Sequence, residues 1–376
     1  MRDSFTVGRI AGIPIGLNWS WIVVFALIVW TWATGIFPET NPGLSDGAYV
    51  AMALVGALLF FLSLLLHELG HAVEARREGM EIEGITLWLF GGVAKFKGLF
   101  PSAGAEFRIA VAGPAVSVAL GGLFVAAAVV GLPEHADAVA AWLGYVNFTL
   151  VVFNLVPALP LDGGRVLRSI LWYLRGDFAG ATHVAAAVAR GIGYLMIGGG
   201  LALLIFLNAF SGAWLAFVGW FLLQAAGAED RYLLARQALG GLRVRDLMVR
   251  DPVTVRADST LGEFMDDVVW TRRYTTYPVT EDGRTVGLLP FRCVAEIPRS
   301  EWDDRRVSEC MISRDDLPVV AEGDELIDAA AELAESDVRR ALVLDGERLV
   351  GLLSVTDVAR ALEMRGAGRG SRRPRS

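Results

Sequence analysis

Cysteine and histidine are scarce in this chain of 376 residues, which contains two of the first and four of the second. The cysteines, Cys293 and Cys310, both lie in the C-terminal half and form no C-x-x-C pair. That excludes a disulfide framework and suits a reducing compartment. No basic patch stands out either. The formal net charge is −7, spread through the C-terminal half, which excludes nucleic acid as an expected partner. The arginines of the extreme C-terminus, Arg369, Arg372, Arg373 and Arg375, read as a short frayed tail rather than a lipid-binding segment. Finally, Met1 to Arg9 carries charges but no apolar stretch or small-residue cleavage site, so no removable signal peptide is expected.

What the chain has in abundance is apolar sequence, unevenly placed. A mean hydropathy of +0.48 with 20% charged residues is too apolar for one soluble protein. Residues 1–228 are Gly- and Ala-rich and sparsely charged, whereas from Glu229 onward Arg, Asp and Glu are frequent. A bilayer-spanning helix needs about 20 apolar residues, and six stretches qualify: Leu17–Phe37, Ala48–Ala75, Phe107–Gly131, Ala138–Leu159, Val184–Leu207 and Ala213–Gly227. The last two are joined by a tight Asn208–Gly212 turn and could also form a re-entrant pair. Lys and Arg alternate along the loops without exception. They flank the spans at Arg2 and Arg9, at Arg76, Arg77, Lys95, Lys97 and Arg108, at Arg165 to Arg190, and at Arg231 and Arg236. The intervening loops Pro38–Gly47, Leu132–Asp137 and Asn208–Gly212 contain none. Positive charge stays on the cytoplasmic side, so a multi-pass cell-membrane protein with both termini and the soluble half in the cytoplasm is expected. Between the second and third spans, Ile82–Phe100 is rich in strand formers around Gly91-Gly92 and reads as a β-hairpin or strand element at the membrane surface. An interfacial loop with no binding role fits it equally well.

The second span ends in Leu64-Leu-Leu-His67-Glu68-Leu-Gly-His71, after nineteen uncharged residues from Ala48 to Leu66. Imidazoles at i and i+4 share one helical face and can grip one metal ion, and a carboxylate beside the first can take a proton from water. At 1.5 Å per residue, His67 lies about 14 Å inside Arg76, too deep for Glu68 merely to reach the headgroups, and ionisable groups at that depth are functional by default. A hydrolytic zinc site wants a third protein ligand and one open position. Of the remaining histidines, His135 falls in an outer loop and His183 opens the fifth span, so neither is well placed. Asp162 stands in Asn154-Leu-Val-Pro157-Ala-Leu-Pro160-Leu-Asp162-Gly-Gly, where two prolines break the helix and two glycines permit a tight turn. The second and fourth spans run the same way, so Asp162 and both histidines approach one level. By spacing alone, an ordinary Asp-Gly turn explains Asp162 as well as a ligand does.

An H-E-x-x-H in one span, followed about 90 residues later by N-x-x-P-x-x-P-L-D-G-G in another, resembles the site-2 protease family of intramembrane zinc metalloproteases. Gly91-Gly92 and Ala112-Gly113-Pro114 fall where that family has comparable short motifs. The resemblance implies that His67, His71 and Asp162 bind Zn2+ and that Glu68 is general base and acid. It implies that Asn154 sits near the site and helps stabilise the oxyanion, although a polar residue in a helix often only hydrogen-bonds a neighbouring helix. It also implies a transmembrane protein substrate inside the lipid bilayer and regulated proteolysis as the purpose. A substrate helix would have to unwind locally, and an exposed strand in Ile85–Phe96 could hold it extended.

Beyond a linker at 229–241, two stretches repeat. Val244-Arg-Asp-Leu-Met248, Tyr277-Pro-Val-Thr and Val286-Gly-Leu-Leu289 are echoed by Val307-Ser-Glu-Cys-Met311, Ala341-Leu-Val-Leu and Val350-Gly-Leu-Leu-Ser354-Val-Thr-Asp357. Each includes an amphipathic helix (Leu261–Trp270; Leu326–Ser336) and an Asp-Gly hairpin turn. The pair, at 242–300 and 301–365, resembles tandem cystathionine β-synthase (CBS) domains, which implies a regulatory module, an adenine nucleotide as ligand and a homodimer formed through the module. By that resemblance Ser354 and Asp357 would contact ribose, while Pro290 and Cys293 replace them in the first repeat and put that site in doubt. Asp357 could instead cap the final helix. The expected architecture is therefore a polytopic α-helical membrane domain at 1–228 with about six transmembrane helices and a small membrane-associated β element. A cytoplasmic α/β tandem CBS module and a disordered basic tail at 366–376 follow. The competing reading is a CBS-regulated transporter or channel with His67, His71 and Asp162 as a cation site. Glu68 and the Asp-Gly-Gly context argue for hydrolysis, since transport needs no general base.

Overall fold

The computed structural model describes residues 4–88, 91–96, 98–207, 209, 211–269, 272 and 274–370. The chain divides into two compact units, Met1–Arg231 and Tyr232–Ser376.

The first unit opens with a hairpin of β1 (Ser4–Ile10) and β2 (Ile13–Asn18), turning at Ala11 and Gly12, both at positive φ. Leu17 therefore belongs to a strand, and the first span runs instead over Ser20–Thr40. It comprises α1 (Ser20–Thr31), a π turn at Trp32–Ile36 and α2 (Phe37–Thr40). Helix α3 (Asp46–Arg77) starts at Ser45, whose side chain accepts from the Ala48 N–H, a standard N-cap. Its 32 residues extend roughly 48 Å, well beyond a 30 Å hydrocarbon layer, so its charged last turn emerges from the bilayer. Strands β3 (Ile82–Trp88) and β4 (Gly91–Phe96) follow, then α4 (Ala103–Val129), α5 (Glu134–Asn154), α6 (Asp162–Arg175), α7 (Phe178–Leu207) and α8 (Ser211–Leu239). Six of these helical stretches are long and apolar enough to cross a membrane. Asn208 and Phe210, in the predicted turn between the last two, lie outside the described residues.

The hairpin read at Ile82–Phe100 is part of a four-stranded sheet, ordered β1-β2-β3-β4, in which β2 and β3 run parallel and both hairpins are antiparallel. The sheet packs on α3. Buried Ile13, Ile15 and Ile85 pack on Ala72 of α3, and Leu87 reaches Phe61 and Leu64, a turn or more beyond His67 in the direction of the membrane interior. Burial of those isoleucines and leucines against α3 draws the sheet inward, because a strand face without a partner leaves apolar area in water. Elsewhere the helices pack through Trp32 and Phe37 against Tyr49, Met52, Ala53 and Leu143.

The segment expected to be a linker, 229–241, is helical to Leu239. Its leucines, alanines and arginines favour helix, and only at Gly240 and Gly241 does the run stop. In the second unit, with β6 (Val255–Arg256), β7 (Thr276–Glu281), β10 (Val319–Val320) and β11 (Arg340–Asp345), the two repeats form one interlocked module of two four-stranded sheets, ordered β6-β7-β8-β9 and β10-β11-β12-β5. The short strand β5 (Val249–Arg250) of the first repeat pairs with β12 (Arg348–Ser354) of the second, and β9 (Ile312–Ser313) pairs with β8 (Arg284–Pro290) of the first. Leu288, Leu342 and Leu344 bury one another between the repeats. The first repeat's amphipathic helix covers Leu261–Glu263 and continues as a π turn at Phe264–Val269, with Trp270 outside the described residues. The final helix runs from Val355 to Gly370, into the stretch expected to be a disordered tail, and residues 371–376 lie outside the described residues.

Candidate metal centre

Helix α3 presents His67 and His71 one turn apart, both buried, with their rings edge to face and centroids 4.9 Å apart. Each imidazole is anchored from behind by α4. His71 Nδ1 lies 2.6 Å from the Ile109 carbonyl oxygen and His67 Nδ1 lies 2.9 Å from Ser117 Oγ. Assigning the ring proton to Nδ1 in both cases satisfies these contacts and leaves each Nε2 with a free lone pair facing inward.

Between the two Nε2 atoms the separation is 3.2 Å. Asp162 closes the triangle, with Oδ2 3.2 Å from His67 Nε2 and Oδ1 3.2 Å from His71 Nε2. A tetrahedral zinc ion with bonds of about 2.0–2.1 Å keeps its ligand atoms roughly 3.3 Å apart. One oxygen of Asp162 and the two Nε2 atoms lie within 4.8 Å of one another, close enough to share one zinc that keeps a fourth position free. Among the described residues, His67, His71 and Asp162 form the group able to hold a metal.

Asp162 owes its place to a break in the chain. Pro157 disfavours helix at Val156, so α5 ends at Asn154 rather than at Leu159 and α6 begins at Asp162. The carboxylate thus sits in the first turn of a new helix, where the macrodipole favours it. Its two following glycines are obligatory. A Cβ on Gly163 would overlap the Leu155 carbonyl, and one on Gly164 would overlap Ala158 and the Leu159 amide. The 155–161 connection folds back directly over the helix start. Its Ala158 and Leu159 bury themselves against Ala185 and Ala189 of α7 and Leu222 and Ala226 of α8.

Two further glycines shape the centre. Gly113 faces the metal position: a Cβ there would overlap His71 Nε2 and come within 2.7 Å of His67 Nε2. Gly92 of β4 lies against Glu68, where a Cβ would overlap Cγ and stand 2.9 Å from Cδ. The strand backbone therefore covers the carboxylate that follows the first ligand. Asn154 ends α5, half-buried, and among the described residues no hydrogen bond joins its side chain to the cluster. Ser354 and Asp357 lie in the other unit and are tied to each other. The Asp357 carboxylate accepts from the Ser354 N–H and hydroxyl, and Ser354 Oγ accepts from the Asp357 N–H, a reciprocal cap on the final helix.

Sequence reasoning missed the anchoring of both imidazoles. Ile109, Gly113 and Ser117 recur at four-residue spacing on one face of α4, and a glycine and a serine in that stripe were the signal.

A model of "Peptidase family M50" matches residues 55–135 and 132–198, and one of "CBS domain" matches 244–297 and 307–364. Rip3 of Mycobacterium tuberculosis is 37% identical over 370 residues, covering 97% of this chain and 94% of the relative. The chain belongs to peptidase family M50. A second relative of the M50 chain, "Zinc metalloprotease MJ0392" of Methanocaldococcus jannaschii, is 31% identical over 365 residues, 97% of each. A solved "Site-2 Protease from Methanocaldococcus jannaschii" is 29% identical over 61% of this M50 peptidase and 95% of that chain, with a TM-score of 0.43. As an M50 peptidase with six apolar helices and a CBS pair, the protein is a membrane-embedded zinc metalloprotease carrying a regulatory module. The reading as a CBS-gated transporter or channel is set aside.

Proposed function

We propose that His67, His71 and Asp162 hold the zinc ion and that Glu68 is the general base and acid of a peptidase acting within or near transmembrane segments of other membrane proteins. The observation that carries this reading is the cluster of ligand atoms, in which the two Nε2 atoms lie 3.2 Å apart and each lies 3.2 Å from one oxygen of Asp162, reached from two different helices. Bound zinc supplies a Lewis acid that polarises the scissile carbonyl and acidifies water. Glu68 takes a proton from the attacking water and hands it to the departing amine nitrogen. Gly92 keeps that carboxylate in place by leaving it room on one side only. Asn154 is retained as a side-chain amide donor to the carbonyl oxygen, and an Asn154→Ala protein with undiminished kcat would remove it from that role. The deciding experiment is cleavage of a helical membrane substrate by the purified full chain in detergent. Chelation should stop it and zinc restore it, whereas cleavage that survives removal of all metal would overturn the assignment.

Substrate must reach Glu68 in extended form, because helical carbonyls are already hydrogen-bonded. Strand β4 is an edge of its sheet and its Gly92 touches Glu68, so a peptide added along β4 would pass beside the carboxylate. Proline scanning through Gly92–Phe96 is expected to lower cleavage strongly with zinc content unchanged. Full activity throughout the scan would exclude strand addition.

For the CBS pair we propose an adenine nucleotide in a cleft of about 510 Å³ lined by Arg292, Asp337, Arg339, Arg340, Ser354 and Thr356. Three guanidinium groups suit phosphates. Burial holds the Arg340 guanidinium below its ordinary pKa, a tendency that Asp357 opposes, so a bound anion would relieve it. Calorimetry with ATP, AMP and S-adenosylmethionine on the full chain should show saturable heat for one of them, and flat traces with all three would refute the proposal. Homodimerisation through this module is checked by the mass of the detergent-solubilised particle. The loop charges support cytoplasmic termini. A membrane-impermeant thiol reagent should then reach Cys293 and Cys310 only after cells are opened, and labelling of intact cells would reverse the topology.

A further inference from the structure

A second group of buried charges lies in the membrane unit, and the chemistry above makes no use of it. Arg168, on α6 six residues after Asp162, is 3% exposed. Its guanidinium lies 2.6 Å from Oε1 of Glu106, a fully buried residue of α4, and 2.7 Å from Oε1 of Glu229 on α8. The plane of Phe178 stands 5.1 Å beneath it, and among the described residues the second oxygen of Glu106 has no hydrogen-bond partner. Two of these charges, Arg168 and Glu106, are sequestered, while the Glu229 side chain is 35% exposed. A buried ion pair is a costly means of holding helices together, and well-packed apolar side chains commonly do as well or better. What a forked guanidinium adds is direction, since its donors accept carboxylates only in fixed positions.

The placement of the triad says what is being directed. Asp162 begins α6 directly after the irregular 155–161 connection, so the position of its carboxylate follows the position of that helix. Glu106 precedes Ile109 by less than one turn on α4, and α4 also carries Gly113 and Ser117 beside the imidazoles. The Arg168–Glu106 pair therefore ties the helix that supplies the carboxylate ligand to the helix that orients both nitrogen ligands.

We infer that Arg168 is a positioning residue: through Glu106 and Glu229 it sets the register of α6 against α4 and α8, and thereby the reach of Asp162 to the two imidazoles. The inference rests on the metal-ligand assignment made above. It is tested by zinc affinity of the purified full chain, measured by competition with a chelator, beside thermal unfolding of the metal-free form and steady-state kinetics. Arg168→Met is expected to weaken zinc binding about tenfold or more and to lower kcat with KM unchanged, because Arg168 touches no substrate. Arg168→Lys should recover part of the loss, and Glu229→Gln, which preserves shape and the Glu106 pair, should weaken binding several-fold. Should Arg168→Met fail to insert, the lysine and Glu229 variants decide alone. A drop in thermal stability with zinc affinity unchanged in the variants that fold would make the triad a packing feature and overturn the inference. His67→Ala is the reference for a lost ligand. If the wild-type chain itself takes up no zinc, the ligand assignment fails and this inference with it. If it does and the variants match it, only this inference fails.

Discussion

The Glu68→Gln protein is expected to keep its zinc and to lose at least about 100-fold in kcat. Glutamine preserves the size of the side chain and its contact with Gly92, and position 68 is not one of the three residues, His67, His71 and Asp162, that group their ligand atoms. Nothing that holds the metal is therefore removed. What disappears is the ability to accept a proton, and an amide cannot substitute for a carboxylate in that step. Elemental analysis of the purified variant together with single-turnover cleavage checks both halves. A variant that still cleaves at near wild-type rate would move the general base elsewhere, and one that loses its metal would give Glu68 a coordinating role.

Gly113→Ala should have an effect of comparable size by the opposite route, abolishing metal uptake in a protein that still folds. The new methyl would overlap His71 Nε2 and stand 2.7 Å from His67 Nε2, in the space toward which both lone pairs point. Helix α4 itself has no reason to suffer, since alanine is favoured over glycine in a helix interior by roughly 0.5–1 kcal/mol. The rings cannot retreat easily either, because Ile109 and Ser117 hold their Nδ1 atoms. Zinc stoichiometry near zero, with helical content and detergent-solubilised size as in the wild type, is the expected result. Full zinc occupancy would mean that the imidazoles approach a metal from a different side.

Gly92, Gly163 and Gly164 follow the same logic at the other edges of the centre. At each of these positions a backbone must approach a functional group or another backbone more closely than any Cβ allows. Such glycines are visible in a sequence as pairs, but their purpose is not, because the atoms they make room for come from other parts of the chain.

How much could be read in advance differs sharply between the pieces. His67, Glu68 and His71 needed only helical periodicity and the apolar run that precedes them, since neighbours at i and i+4 meet on a helix whatever else the chain does. The repeated strands and Asp-Gly turns of the second unit were likewise local. The N-terminal hairpin is hard to read although Ile13, Ile15 and Leu17 alternate after the Ala11-Gly12 turn, because the apolar residues of its last strand lie only a few positions before the first apolar span. The helical stretch 229–239 was taken for a linker because its charge marks a change of solvent, which is not the same as a change of backbone conformation. Nor did pattern alone reveal that β5 and β9 are exchanged between the two repeats.

Local sequence thus determined the long apolar helices of the first half, the two imidazoles with their carboxylate neighbour, and the duplicated second half, because all three follow from the spacing of residues a few positions apart. Only the tertiary structure decided that Asp162 rather than an ordinary turn aspartate completes the triangle. It alone placed Ile109 and Ser117 behind the rings, laid Gly92 on Glu68, and gathered Glu106 and Glu229 around the buried Arg168. Those contacts join residues 24 to 95 positions apart in the metal centre, and their formation depends on how whole elements pack, a property that no short window of sequence contains.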